Sequence, residues 1–416
     1  MAQFSQPLRL AMLSVHTSPL AQPGGKKTGG MNVYVRELSV ELGRRGHQVD
    51  VFTRIAAPDT PQIRDDLGPN VRVVSLPAGP ERALSSDEIF DHLDEFAAAL
   101  SAFTERDTRS YDVIHSHYWL SGLVAKRIQA NWHAPVLQMF HTLGEMKNRI
   151  AQDGGEGASR TRIRAERHIM QQADRIIAAT PAERIQLLWL YGADMQKIEI
   201  IPPGVNVERF CPISRTQART ALDISLADRL LLFAGRIERL KGLDTLLEAM
   251  AILNHPDAPN VDGLTLTIIG GELDSQDPEL ERLQTMRDQL GLHNVVSFVG
   301  AKDQDALHYY YSAAEMVIMP SQYESFGMVA LEAMACGTPV IASEVGGLAY
   351  LVQDGVTGFH VPSAAPRELA DKIHLLLTHE GLNAELSEAA VRVARGYAWP
   401  LIADRIERLY QEVLGL

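Results

Sequence analysis

The sequence predicts an α/β protein of two doubly wound domains of similar size, facing one another across a cleft. Two observations carry this. Short apolar runs of strand length alternate with amphipathic helical stretches along all 416 residues, the signature of parallel sheets covered on both faces. The alternation breaks once, at the stiff turn Pro202-Pro203-Gly204-Val205-Asn206, and then restarts. The length agrees, since roughly 100–200 residues make a domain.

In the first half, strands are expected at 9–15, 48–53, 71–76, 113–115, 136–140, 175–179 and 198–201. A helix is expected at 30–45, where Val33, Leu38 and Leu42 recur at near-helical spacing. After the break, strands are expected at 231–234, 265–269, 295–299, 316–319 and 339–342. A last periodic helix covers 399–414, with Pro400 tolerated in its first turn. No short repeat or low-complexity tract interrupts this order.

Composition narrows the function. At 46% hydrophobic and 22% charged residues, the chain has the make-up of a globular protein able to bury more than one core. Its 39 basic and 52 acidic residues give a net charge of −13, which argues against wrapping nucleic acid. Cys211 and Cys336 supply neither a disulfide framework nor a four-thiolate zinc site, so a reducing cytoplasm is expected. No run approaches the roughly 18 apolar residues of a membrane span. The stretch Leu10-Ala11-Met12-Leu13 after Arg9 is too short for a signal sequence and reads as the first strand.

Ligands of open α/β sheets bind beyond the carboxyl ends of the strands, so the loops there are the candidates. The first is Gly24-Gly25-Lys26-Lys27-Thr28-Gly29-Gly30-Met31-Asn32, which opens into a helix. Paired glycines allow close backbone approach and a helix N-terminus offers free amides, which suits a phosphate. A plain surface loop is the alternative, and neither a dinucleotide fingerprint nor a Walker loop is present. The second is Gly235-Arg236-Ile237-Glu238-Arg239-Leu240-Lys241-Gly242, where Arg236 and Lys241 could neutralise a diphosphate or form a solvated charge run. The third follows the strand at 316–319. Glu324 lies in its loop, Ser325, Phe326 and Gly327 present amides at the start of a helix at about 326–336, and Glu332 stands inside that apolar helix. A buried acid there needs hydrogen-bond partners, and sugar hydroxyls would serve; an exposed glutamate on a core helix is the alternative.

Two metal readings fall away. Asp303-Gln304-Asp305 precedes the periodic run 306–314, where Asp caps a helix. His115 and His117 have no further ligand at a familiar spacing. Neither a metal nor a cofactor is expected.

These residues, over essentially the whole chain, resemble a retaining glycosyltransferase of the GT-B fold, in the large family that includes the sucrose-phosphate synthases. The specific signature is Glu324 and Glu332 inside Glu-Ser-Phe-Gly-x-x-x-x-Glu-Ala-x-Ala-x-Gly-x-Pro-Val. Gly235-Arg236, Lys241-Gly242 and Gly29-Gly30 stand where the family has them. Within it the nearest likeness is to the inositol-phosphate N-acetylglucosaminyltransferases of mycothiol synthesis. That likeness rests on His16 to Leu20, Thr28 to Tyr34, His115 to Gly122, His141-Thr142-Leu143 and Lys147-Asn148.

The resemblance implies two Rossmann-like domains: residues 1–203 with a returning helix at 398–416, which bind the acceptor, and 204–397, which bind the nucleotide sugar. It implies that Arg236 and Lys241 stabilise the departing diphosphate, aided by the amides of Gly29 and Gly30. It assigns Glu332 to the ribose, and Glu324 with the Ser325, Phe326 and Gly327 backbone to the donor sugar. His141 would contact that sugar near the reacting carbon, and Asn32 belongs to the acceptor side. Tyr118, Thr142 and Arg162 match three of four acceptor-phosphate residues in the inositol-phosphate enzymes; the fourth, a lysine there, is Ser86 here. Transfer on one face of the sugar, without a covalent enzyme intermediate, also follows from the family.

The expected activity is therefore metal-independent transfer of a hexose from a nucleoside diphosphate sugar, UDP-glucose or UDP-N-acetylglucosamine, to a small anionic hydroxyl acceptor. A homodimer is compatible with this; nucleic acid and membrane partners are not expected. The competing readings are a polysaccharide or glycolipid transferase, a sugar-nucleotide epimerase of the same fold and a non-catalytic sugar-nucleotide binder.

Overall fold

The computed structural model of the chain describes residues 6–21, 29–151, 157–258, 261–273, 277–379 and 381–416. The described residues fall into two compact units. One comprises 6–21, Gly30–Gly204 and Trp399–Leu416; the other comprises Val205–Ala398 together with Gly29.

The first unit is built on strands β1 (Arg9–Leu13), β2 (Gln48–Arg54), β3 (Ile63–Arg64), β4 (Val71–Leu76), β5 (Val113–His117), β6 (Val136–Met139), β7 (Arg175–Ala178) and β8 (Ile198–Ile200). They lie in the order β3-β4-β2-β1-β5-β6-β7-β8. All neighbours are parallel except the two-residue β3, which runs antiparallel to β4 at the edge. In register, Met12 faces Val51 on one side and His115 on the other. Helices α1 (Gly30–Arg44), α2 (Ser86–Phe90), α3 (Leu93–Asp107), α4 (Tyr118–Trp132), α5 (Gly144–Ile150), α6 (Arg160–Gln172) and α7 (Pro181–Tyr191) connect the strands.

The second unit has strands β9 (Arg229–Ala234), β10 (Leu264–Ile269), β11 (Val296–Phe298), β12 (Met316–Met319), β13 (Val340–Ser343) and β14 (Gly358–Val361). Their order is β11-β10-β9-β12-β13-β14, parallel throughout. Its helices are α8 (Arg215–Ala221), α9 (Leu243–Leu253), α10 (Pro278–Gln289), α11 (Gln304–Ala313), α12 (Met328–Ala335), α13 (Leu348–Leu351), α14 (Pro366–Thr378) and α15 (Leu382–Arg395). The final helix, α16 (Trp399–Leu414), belongs to the first unit.

Local chemistry explains the elements. In α7, Thr180 caps the Glu183 amide, Pro181 opens the first turn and left-handed Gly192 closes the last. Trp399, Ile402, Ile406, Leu409 and Tyr410 give α16 one buried stripe. In each unit the winding reverses beside the central strand: β1 stands between β2 and β5, and β9 between β10 and β12. Such switch points open a crevice beyond the strand ends.

Most expected strands shift by one or two residues at their ends. β14 has no counterpart among the expected strands, because Gly358-Phe359-His360-Val361 is short and mixed in polarity. Its glycine is required by packing: a Cβ there would lie 1.9 Å from the Val340 carbonyl oxygen. The helix expected at about 326–336 begins at Met328 instead. Gly327 has φ 105°, outside the right-handed helical region, so the free first-turn amides follow it rather than start at Ser325.

Candidate active site

In the second unit the loops after β9 and β12 are fastened to each other. The Gln322 amide donates to the Leu240 carbonyl at 2.8 Å. Gly242, at φ 68°, lies so close to Pro320 that a Cβ would meet its carbonyl oxygen at 2.0 Å. This contact brings the Lys241 ammonium to 2.5 Å from Glu324 Oε2, with both side chains mostly buried. Arg236 follows β9 and pairs with Glu238 at 2.8 Å, with both about 40% exposed. The unit thus presents a loosely held guanidinium and a tightly paired lysine beyond the same sheet edge.

The loop ahead of α12 is equally fixed. The Glu324 carbonyl accepts from the Gly347 amide at 2.8 Å, and a Cβ on Gly347 would lie 2.2 Å from Phe326 Cα. The Phe326 side chain is buried, 6.0 Å from the Tyr397 ring, so this residue offers only backbone to a ligand. Ser325 stands between the two anchored residues. Buried Glu332 accepts from the Tyr311 hydroxyl at 2.9 Å; the partner that burial demands is thus supplied at Oε2 by protein. Burial, followed by the Glu332 charge, pushes the Tyr311 phenol well up, so it stays a hydrogen-bond donor.

In the first unit a second constellation forms around Arg162, on α6. Its Nε donates to Glu166 at 2.7 Å, Nη1 to the Tyr118 hydroxyl at 3.0 Å, and Nη2 to the Thr142 carbonyl at 2.8 Å and its hydroxyl at 3.0 Å. Both hydroxyl oxygens accept from the guanidinium, so their own protons must point elsewhere. No acceptor takes either proton among the described residues. Two hydroxyls whose protons are unclaimed among the described residues thus stand beside one guanidinium, itself paired with Glu166. Ser86 opens α2, and the next residue, Asp87, accepts from the Ser159 hydroxyl at 3.1 Å. Ser159 caps α6, so the start of α2 is tied to the helix that carries Arg162.

Glu166, which sequence reasoning did not single out, anchors this cluster. It is fully buried and accepts from Arg162, from the Gly144 amide at 3.0 Å and from the Tyr191 hydroxyl at 2.5 Å. The Arg-x-x-x-Glu spacing of a helical ion pair was the available signal.

Asn32, buried on α1, donates its amide to Thr17 Oγ1 at 2.6 Å and to the Ser18 carbonyl at 2.7 Å, so it shapes the loop after β1. Gly30 is the first residue of α1 and Gly29 precedes it; the 24–28 part of that glycine loop lies outside the described residues.

His141 follows β6 at φ 61°, and Tyr118 follows β5 at φ 73°. Left-handed backbone in bulky residues is strained and is held only by its surroundings, a condition common in functional sites. His141 Nε2 lies 3.1 Å from His117 Nδ1, and His115 Nδ1 lies 2.8 Å from the Tyr410 hydroxyl on α16. Asp303 caps α11 by accepting from the Ala306 amide at 2.7 Å, while Asp305 pairs with Arg209 at 3.0 Å.

Burial pushes His115 and His141 down to about 3, and His117 well below the ordinary histidine value, so all three rings are neutral. The unfolded chain then binds more protons below its histidine pKa near 6.5, and stability must fall as pH falls from 6.5 towards 3. The fully buried rings of His115 and His117 each cost ~1.4 kcal/mol per pH unit across that window, and the half-buried ring of His141 less. Urea unfolding at pH 7.5, 6.0 and 5.0 is expected to show midpoints dropping steeply below pH 6.5; a flat profile to pH 5 would contradict buried, neutral rings.

Comparison with known proteins gives a consistent picture. The family model described as glycosyl transferases group 1 matches residues 214–393, and a glycosyl transferase 4-like domain matches residues 29–204. The D-inositol 3-phosphate glycosyltransferase of Actinosynnema mirum is 40% identical, over 97% of this chain and 96% of the relative. That of Corynebacterium jeikeium is 39% identical, over 98% and 97%. The sucrose-phosphate synthase of Thermosynechococcus elongatus superposes with a TM-score of 0.89 at 34% identity, covering 98% of this chain and 99% of that one.

Proposed function

Since the chain belongs to the group 1 glycosyltransferases and has their GT-B fold, we propose that it moves a sugar from a nucleoside diphosphate sugar to a small phosphorylated polyol or sugar. The observation that carries the acceptor is the Arg162 cluster, where the Tyr118 and Thr142 protons lack acceptors among the described residues beside a cation. A phosphate oxygen is the complement of that arrangement. The names of the two kinds of relative agree, since one acts on inositol 3-phosphate and the other is a synthase of sucrose phosphate.

In this reading the second unit holds the donor, UDP-glucose or UDP-N-acetylglucosamine. Arg236 and Lys241 neutralise its diphosphate, Glu324 and the Ser325, Phe326 and Gly327 backbone hold its sugar, and Glu332 with the Gly29 and Gly30 amides completes the grip. Asn32 and Ser86 border the acceptor. The bond from the sugar to the diphosphate breaks with its electron pair passing to the phosphate. The acceptor hydroxyl oxygen bonds to the same carbon on the same face, and its proton passes to the departing phosphate oxygen. No group on the protein becomes covalently attached. Side-chain cations carry the electrostatic load, so turnover is expected to survive EDTA, and Asp303→Asn to be nearly silent, because Asp303 caps a helix. Complete, metal-reversible loss of activity with the chelator would sink the metal-free reading.

The test of function is donor release across a panel of sugar nucleotides, with inositol phosphates, hexose phosphates and neutral polyols as acceptors. Release that requires a phosphorylated acceptor supports the proposal; a preference for neutral acceptors counts against it. Ser86→Lys places a cation where the inositol-phosphate enzymes have one. It is expected to lower KM for a phosphorylated acceptor by ~10-fold, the worth of one charge-assisted hydrogen bond, and to leave a neutral acceptor unaffected. The two cysteines are unpaired, in keeping with work in a reducing cytoplasm, and no described helix is long and apolar enough to cross a membrane.

A further inference from the structure

We propose that His117 is a positioning residue that fixes which nitrogen of His141 carries the proton, so that His141 meets its ligand as an Nδ1–H donor. The inference rests on the transferase reading for the role of His141, and on geometry alone for the tautomer.

His117 Nδ1 and His141 Nε2 are 3.1 Å apart, so one nitrogen is N–H and the other a lone pair. His117 is fully buried in β5, and its Nε2 has no hydrogen-bond partner among the described residues. If the His117 proton sat on Nε2, a buried N–H would be orphaned, which is rarer and costlier than an unsatisfied acceptor. The proton therefore sits on His117 Nδ1 and is donated to His141 Nε2. With Nε2 of His141 occupied as an acceptor, a neutral ring must carry its proton on Nδ1. The His141 ring is half-buried, packs on Tyr34 at 5.2 Å, and makes no hydrogen bond through Nδ1 among the described residues. His115, stacked on His117 at 4.5 Å, and Tyr34, edge-on at 5.5 Å, fix the plane of the His117 ring and so the direction of its Nδ1–H.

The tautomer can be read without substrate. In the full-length chain labelled with 15N-histidine at pH 7.5, long-range proton–nitrogen correlations show which ring nitrogen bears hydrogen, with His141→Gln identifying the His141 signals. The expected result is Nδ1–H for both His141 and His117; Nε2–H on His141 overturns the proposal. The positioning role is read separately with His117→Leu and His117→Asn. Leucine removes the donor and is expected to lower kcat ~10-fold with acceptor KM unchanged, the size of one lost hydrogen bond. Asparagine restores an N–H and is expected to recover most of that loss. Equal kcat in wild type and a folded leucine variant, or equal losses in both variants, overturns the role. Absence of any transferase activity would instead refute the functional reading and leave the tautomer standing.

Discussion

Replacing Arg236 or Lys241 with alanine is expected to lower kcat by ~10²–10³ while leaving the fold intact, the scale for removing one well-placed stabiliser of developing charge. Charge on the diphosphate grows as the glycosidic bond breaks, so a cation aimed at it counts more in the transition state than in the bound donor. The two residues should differ in their side effects. Arg236 is about 40% exposed and among the described residues pairs with similarly exposed Glu238, so its loss should cost little stability. Lys241 is locked to Glu324 at 2.5 Å, and its removal leaves a largely buried carboxylate without its cation. Lys241→Ala is therefore expected to weaken donor binding as well as turnover, whereas Arg236→Ala should act mainly on kcat. Steady-state kinetics over a donor titration separates these effects. Near-normal turnover in either folded variant removes that residue from the reaction.

Arg162→Ala is expected to raise the acceptor KM ~10-fold or more, because a charge-assisted hydrogen bond is worth ~1.5–3 kcal/mol. The donor KM should hardly change. The structure adds a stability penalty, since Glu166 would be left fully buried without its guanidinium, a loss of ~3–5 kcal/mol. The Arg162→Ala, Glu166→Gln double variant relieves that charge and should recover stability but not acceptor affinity. Unchanged acceptor kinetics in the double variant would show that the phosphate binds elsewhere.

Which parts were legible in the sequence follows from the range of the interactions. Strand ends and glycine-rich loops are local, so Arg236, Lys241 and Glu324 could be picked out one at a time. Their arrangement could not: the pairing of Lys241 with Glu324 spans 83 positions and depends on Gly242 lying against Pro320. The start of α12 was placed too early because nothing in Ser-Phe-Gly announces a left-handed Gly327. Glu166 lay within reach of sequence reasoning, four residues after Arg162. His117 stands out in the sequence as a possible metal ligand and as part of the His115 to Gly122 segment, but without a role, because its partner, His141, arrives from the neighbouring strand.

The return of α16 to the first unit has a consequence for how the chain is made. Arg45 binds Asp404 and Glu407 at 2.6 and 2.7 Å, His47 binds Glu407 at 2.9 Å, and His115 meets Tyr410, 295 residues away in sequence. Every one of these partners is synthesised after the whole of Val205–Ala398. During translation the first unit must therefore wait, with its α1 flank and the buried end of β5 uncovered, until the last helix emerges. Domains usually fold as units in order of synthesis, and contacts of such long range form late. Here the second unit, whose core strands all lie within Val205–Ala398, can finish first although that stretch is made later. Ribosome-stalled chains in which residue 398 has just cleared the exit tunnel should show a protease-resistant second unit beside a labile first one, and the first should become resistant only when α16 has emerged as well.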